Sequence, residues 1–226
     1  MKTKNLFCTG IFLIVAFVIW TILICTVNVQ CIGLNRTEVG FATLNSWFHH
    51  LTGVNMAIYH ITDWLGLVPV FCCMIFGGVG FFQLIKRKSL FKVDVDIIVL
   101  GIYYILVIFG YLIFEMIPIN YRPVLINGIM EASYPSSTTL LVLSVMPTVN
   151  LQCKRRVKSI VIMKAIITLS DLFSLFMVIG RAISGVHWLT DIIGSIFLST
   201  GVFLIYKSIV LFFDNKHTTE VKHGIR

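Results

Sequence analysis

Six stretches of this 226-residue chain are apolar over lengths that suit a membrane crossing: Phe7–Val29, Trp64–Ile85, Val95–Ile117, Ser136–Leu151, Ile160–Ile179 and Leu189–Phe213. A hydrocarbon core about 30 Å thick takes about 20 residues of α-helix to cross. The pattern therefore predicts an all-α integral membrane protein, a bundle of six transmembrane helices. The first stretch keeps its apolar core from Ile11 to Val29. That exceeds the ~7–15 residues of a signal-peptide core, and no small-x-small cleavage site follows, so it is expected to remain as a helix. From Gly40 to His60 the pattern is mixed: Trp47, Phe48, Leu51, Val54, Met56 and Tyr59 are interspersed with Asn45, His49, His50 and His60. This predicts a half-buried helix or re-entrant piece at the membrane surface. The expected organisation is a first transmembrane helix over 1–30, an outer loop with an interfacial helix over 31–63, a transmembrane core over 64–213, and a short polar tail over 214–226 that frays.

Composition removes other classes. The chain is 58% hydrophobic and 12% charged, against ~45–50% and ~25% for a soluble domain. It has too little polar side chain to cover a water-facing surface. An ordinary cytosolic enzyme and a disordered chain are excluded, as is a nucleic-acid binder whose net charge of +8 forms a binding stripe. Cys8, Cys25, Cys31, Cys72, Cys73 and Cys153 show no C-x-x-C spacing. Neither a disulfide framework nor a zinc site is indicated.

The charge is distributed by side. Lys2 and Lys4 precede the first stretch; Lys86, Arg87, Lys88 and Lys92 lie between the second and third. Lys154, Arg155, Arg156, Lys158 and Lys164 lie between the fourth and fifth or just inside the fifth. Lys207, Lys216, Lys222 and Arg226 end the chain. These are 15 of the 18 Lys and Arg; Arg36, Arg122 and Arg181 are on the other side. The positive-inside rule then puts both termini in the cytoplasm of a multi-pass cell-membrane protein. The basic side is expected to attract anionic lipid headgroups. Asn35-Arg36-Thr37 fits a glycosylation acceptor on the outer side, a triplet also common by chance.

With so few outer charges, each is informative. Arg122 and Arg181 are forked, permanently charged donors suited to phosphate oxygens. Pro135 followed by Ser136 and Ser137 marks a helix start, whose free N–H groups form an anion site. His187 and Asp191 are one helical turn apart. That spacing lets the carboxylate accept from one ring nitrogen and leaves the other unprotonated and nucleophilic. Together these residues suit phosphoryl transfer through a phosphohistidine. The two Arg take the charge that Mg²⁺ would otherwise neutralise, so neither a metal nor a cofactor is expected.

The same residues resemble the type 2 phosphatidic acid phosphatases, a family of integral membrane lipid phosphatases. Its signatures are Lys-x6-Arg-Pro, Pro-Ser-Gly-His and Ser-Arg-x5-His-x3-Asp. Here the third reads Gly180-Arg181-x5-His187-x3-Asp191, the first keeps Arg122-Pro123 with Glu115 in place of Lys, and the second keeps Pro135-Ser136 with Ser137 and Thr138 in place of Gly and His. The resemblance covers about Trp64 to Phe213. It implies a phosphatase-like core whose site opens to the outer leaflet. It also implies His187 as nucleophile, Asp191 as its orienting carboxylate, Arg122 and Arg181 as the phosphate clamp, and Ser136 as a further donor. No role passes to Glu115 or Thr138; a Thr hydroxyl is too weak an acid to protonate a leaving oxygen near neutral pH.

Blander readings apply elsewhere. His49, His50 and His60 are polar edging. Glu115 is as fitting a structural partner for Arg122 as a functional residue, and Glu131 reads as a solvated loop charge. Asp63 with Trp64 reads as an interface anchor and helix cap. Asp171, inside the fifth stretch, is expected to pair with a neighbouring helix. Two functions stay open: a phosphatase acting on a lipid phosphate or isoprenoid pyrophosphate at the outer face, or a non-catalytic relative that binds phosphorylated lipid. A transporter ranks last, because no span carries a Gly/Pro break matched in a second half. The missing acid predicts a preference for isoprenoid pyrophosphates over phosphatidic acid, because their leaving group departs without a proton.

Overall fold

The computed structural model describes residues 2–222, with side chains over 3–216; Met1 and 223–226, including Arg226 of the topology signal, lie outside the described residues. Eight α-helices follow in order: α1 Lys2–Thr26, α2 Ala42–Thr52, α3 Met56–Leu65, α4 Leu67–Arg87, α5 Val95–Met116, α6 Ser137–Arg156, α7 Ile160–Ile183 and α8 Leu189–Lys222. The protein is a multi-pass membrane protein. Among the described residues, five helical segments are long and apolar enough to cross a bilayer: Thr3–Thr26, Met56–Arg87, Val95–Met116, Ile160–Ile183 and Leu189–Lys216. Their outward faces are lipid-like, with Phe12, Phe81, Leu106 and Val161 all exposed.

α6 differs from these five. It runs from Ser137 at one end of the bundle to Arg156 at the other. It packs against α4, α5, α7 and α8. Its buried face mixes polar Thr139, Ser144, Thr148 and Gln152 with apolar Leu140, Val142, Val145 and Met146. Tyr103 donates to the Ser144 carbonyl at 2.9 Å, Tyr104 and Thr148 share a hydrogen bond of 2.7 Å, and Gln152 donates to Tyr206 at 3.0 Å. A helix surrounded by other helices can satisfy polar side chains internally, which lipid would not allow. Beside it, Leu100, Val107, Val145 and Val210 form the apolar core.

α1 is packed along α8. A Cβ added at Gly10 would lie 2.9 Å from the Gly201 carbonyl oxygen, so small residues set this close crossing. α1 also holds Tyr134, through Thr21 at 2.7 Å and a stacked Phe17 ring. The first helix is thus part of the body that supports the 117–136 loop. Two other expected boundaries shift. α3 continues into α4 across the single residue Gly66, so the helical element begins at Met56 instead of Trp64. The segment after Phe213 continues α8 as far as Lys222.

Ion pairs join the basic end. Arg87 pairs with Asp94 at 2.7 Å, Arg156 with Asp96 at 2.8 Å, and Arg155 with both Asp96 and Asp214. Asn215 of α8 meets Thr3 of α1 at 3.4 Å, so both described ends of the chain are at this end. Asp171 accepts from Asn150 of α6 at 2.7 Å, the neighbouring-helix pairing expected of it.

Candidate functional site

Two loops and the ends of α3, α6, α7 and α8 meet opposite the basic end. The first loop, between α5 and α6, folds back on itself at Asn127-Gly128, both with positive φ (50° and 78°). That is the requirement of a two-residue hairpin turn of type I′. Ile126 and Ile129 exchange hydrogen bonds of 3.0 and 2.9 Å across it. The hairpin sets Arg122 beside Glu131 and Asn120 beside Ser133, with backbone bonds of 3.1 and 2.9 Å.

The second loop joins α7 to α8 and carries His187. Gly185 makes it possible: its φ is +69°, and an added Cβ would lie 1.9 Å from the Gly53 carbonyl oxygen. Trp188 fastens the loop to the hairpin by donating from Nε1 to the Tyr121 carbonyl at 2.9 Å. Asp191 then reaches back to accept from the Trp188 amide at 2.9 Å, which caps the first turn of α8. Asn45 of α2 completes that start through Thr190, at 3.0 Å to its hydroxyl and 3.3 Å to its amide. The expected interfacial helix therefore has a second task, bracing α8.

His187 and Asp191 do not bond directly; Nδ1 and Oδ2 are 3.8 Å apart. Ser133 stands between them. Its hydroxyl donates to Asp191 and lies 3.3 Å from His187 Nδ1. Its carbonyl oxygen lies 3.1 Å from the same nitrogen. A carbonyl only accepts, so the hydrogen bonding assigns the ring proton to Nδ1 and leaves the Nε2 lone pair free. Asn120 adds a 3.3 Å bond to Asp191. Burial pushes the His187 pKa down to about 4; the Asp191 carboxylate opposes this, and Arg122 and Arg181 lower it further. The imidazole is therefore neutral near pH 7.

Both arginines are buried, at 7% exposure for Arg122 and 1% for Arg181. Both face the Tyr59 ring, 5.7 and 4.9 Å from its centroid. Arg122 pairs with Glu131 at 3.1 Å. This corrects two expectations: the partner is not Glu115, and Glu131 is not a free loop charge. Arg181 pairs with Asp63 at 3.1 Å and donates to Thr138 and, at 3.5 Å, to Thr62. Asp63 is thus a counter-ion and not only an interface anchor. Of the eight buried side-chain atoms without a hydrogen-bond partner among the described residues, three belong to this site: Arg122 Nη1, Arg181 Nε and His187 Nε2.

Ser136 is placed differently from expectation. It is fully buried, its hydroxyl donates to Thr139 at 3.1 Å, and its amide donates to the Asp191 carbonyl at 3.3 Å. Both donors are used within the protein. Glu115 is exposed at the end of α5. Among the described residues, no three His, Cys, Asp or Glu side chains gather as metal ligands.

No protein-family model matches the chain, and no curated protein sequence matches it. A solved structure does. The crystal structure of the first transmembrane PAP2 type phosphatidylglycerolphosphate phosphatase from Bacillus subtilis aligns with a TM-score of 0.61, over 92% of this chain and 96% of that one, at 16% identity. The chain has the PAP2-type fold.

Within this PAP2-type bundle, four of the five expected site residues converge: His187, Asp191, Arg122 and Arg181. Sequence reasoning missed Ser133, Asn120 and Tyr59, along with the pairing roles of Glu131 and Asp63. The Asn127-Gly128 pair was a signal for the hairpin, and the hairpin would have placed Asn120, Ser133 and Glu131 at the site. Beside the site a groove of about 500 Å³ runs between α4, α5 and α6. Asp63, Thr138, Tyr104 and Tyr111 line it together with Val70, Val107, Leu141 and Val145.

Proposed function

We propose that this chain is a membrane phosphatase that removes phosphate from a phosphorylated lipid through a phosphohistidine on His187. The observation that carries this reading is the trio of buried, unpartnered polar atoms. Leaving donors buried and unpaired costs about 1–3 kcal/mol each, more for charged groups, so such atoms call for a partner. A phosphate oxyanion satisfies Arg122 Nη1 and Arg181 Nε together, and the phosphorus then faces the free Nε2 lone pair. The two guanidinium groups supply the positive charge that phosphoryl transfer requires.

In the first step Nε2 attacks phosphorus and the lipid oxygen leaves. In the second, water attacks the phosphohistidine and inorganic phosphate is released. Ser133 and Asp191 hold the ring proton on Nδ1 and stabilise the positive ring as the N–P bond forms. The amides of the first turn of α6 take the donor role expected of Ser136. The apolar groove suits the lipid tail.

Thr138 provides no acid for the leaving oxygen. On its own this favours isoprenoid pyrophosphates, whose leaving group is itself a phosphate. The same position favours a second reading, a non-catalytic binder of phosphorylated lipid. The positive-inside rule supports a six-crossing topology that counts α6, with cytoplasmic termini and the site at the outer face. Phosphate release from lipid monophosphates and pyrophosphates in detergent, with His187→Ala as control, separates the enzyme from the binder.

A further inference from the structure

Asp63 has no place in the mechanism above beyond pairing with Arg181, yet its position is unusual. Its carboxylate is 53% exposed while its partner Arg181 is 1% exposed, so the pair sits at the boundary between the sealed phosphate site and the open groove. It is the only carboxylate among the described residues that line the groove. Thr138, bonded to the same Nη2 atom of Arg181, lines the groove beside it. A Cβ added at Gly66 would lie 2.9 Å from the Asp63 carbonyl and 3.4 Å from the Thr138 methyl, so the two residues flank one point.

The leaving oxygen of a bound lipid phosphate must lie where the phosphate site meets the tail groove, because that atom joins headgroup to tail. Asp63 and Thr138 occupy that junction. We propose that Asp63 is the proton donor to the leaving oxygen, the role that Thr138 is chemically unable to fill. This inference rests on the phosphatase reading.

The sequence of events balances. A phosphate dianion arriving at Arg181 competes with Asp63 for the guanidinium. The displaced carboxylate, 53% exposed, takes up a proton from solvent. As His187 Nε2 bonds to phosphorus, the bond from phosphorus to the lipid oxygen breaks. The Asp63 proton moves to that oxygen, and the lipid leaves as an alcohol. In the second step the Asp63 carboxylate takes a proton from the attacking water. The N–P bond breaks, phosphate leaves and His187 returns neutral. The net change is the addition of one water across the phosphoester.

The test compares wild type, Asp63→Asn and Asp63→Glu on three substrates in detergent micelles: phosphatidic acid, a polyprenyl pyrophosphate and p-nitrophenyl phosphate. Only the first expels an alkoxide. Asp63→Asn should lower phosphatidic acid turnover by roughly 10²–10⁴, the usual worth of general acid help. It should lower turnover of the other two by much less, which also shows that the variant folds and still binds phosphate. Asp63→Glu should restore part of the phosphatidic acid activity. An equal loss on all three substrates would make Asp63 only a brace for Arg181 and overturn the proposal, as would no loss on phosphatidic acid. Wild type that turns over none of the three would instead remove the phosphatase reading, and this proposal with it.

Discussion

Ser133 separates His187 from Asp191: the hydroxyl donates to the carboxylate and lies 3.3 Å from Nδ1, while the carboxylate itself is 3.8 Å from that nitrogen. In the proposed mechanism the orienting charge therefore acts through a serine relay. Removing Asp191 in a directly bonded arrangement can cost about 10⁴ in turnover. Here Asp191→Asn should leave measurable activity, and Ser133→Ala should cost roughly tenfold to 10²-fold, the worth of one hydrogen bond to a charged group. Because both act on one nitrogen, the double variant should lose little more than the worse single one. Additive losses in kcat would argue against the relay.

The buried imidazole makes a pH prediction. Burial holds the His187 pKa at about 4, below the ordinary 6.5. The neutral ring should therefore persist from neutrality to below pH 5, and the nucleophile with it. An unfolded chain takes up this proton near pH 6.5, so folding stability from His187 declines as pH falls from 6.5 towards 4. Nitrogen-15 NMR of labelled histidine, with the His187 signal assigned by its loss in His187→Ala, measures the titration directly. A midpoint near 6.5 would contradict the sealed site.

Gly185 shapes the loop that presents His187. Gly185→Ala adds a left-handed strain of about 1–2 kcal/mol. It also drives a Cβ to 1.9 Å from the Gly53 oxygen. Gly128→Ala meets nothing within 4 Å and carries the strain alone. Thermal unfolding in detergent should show a clearly larger fall in Tm for the Gly185 variant, and that variant should also lose activity. Equal shifts would mean that the Gly53 contact does not constrain the loop.

The bundle's membrane-crossing helices were legible because Phe, Ile, Leu and Val runs on α1, α4, α5, α7 and α8 face lipid. α6 was legible only as a shorter stretch, because Thr139, Ser144, Thr148 and Gln152 face other helices and carry no apolar signal. His187, Asp191, Arg122 and Arg181 stood out by spacing and by scarcity of charge. The partners of the arginines did not. Glu131 reaches Arg122 through a hairpin turn, and Asp63 reaches Arg181 from 118 positions away. Such pairings are set by packing and leave no local periodicity to read.

The proposed topology rests on the charge distribution and is tested by cysteine labelling in a background free of the six native Cys. A Cys at exposed Leu125 should react with an impermeant reagent in intact cells. A Cys at Lys158 should not react until the membrane is opened. The reverse pattern would invert the orientation and move the site to the cytoplasmic face.

Phosphate release from a panel of lipid monophosphates and pyrophosphates, by wild type and by His187→Ala in parallel, tests the central claim most directly. The account predicts turnover of at least one lipid substrate by wild type and none above background by the variant. Equal phosphate release by the two proteins would contradict the phosphohistidine mechanism. Binding of the lipids by wild type without any release would establish the non-catalytic reading instead.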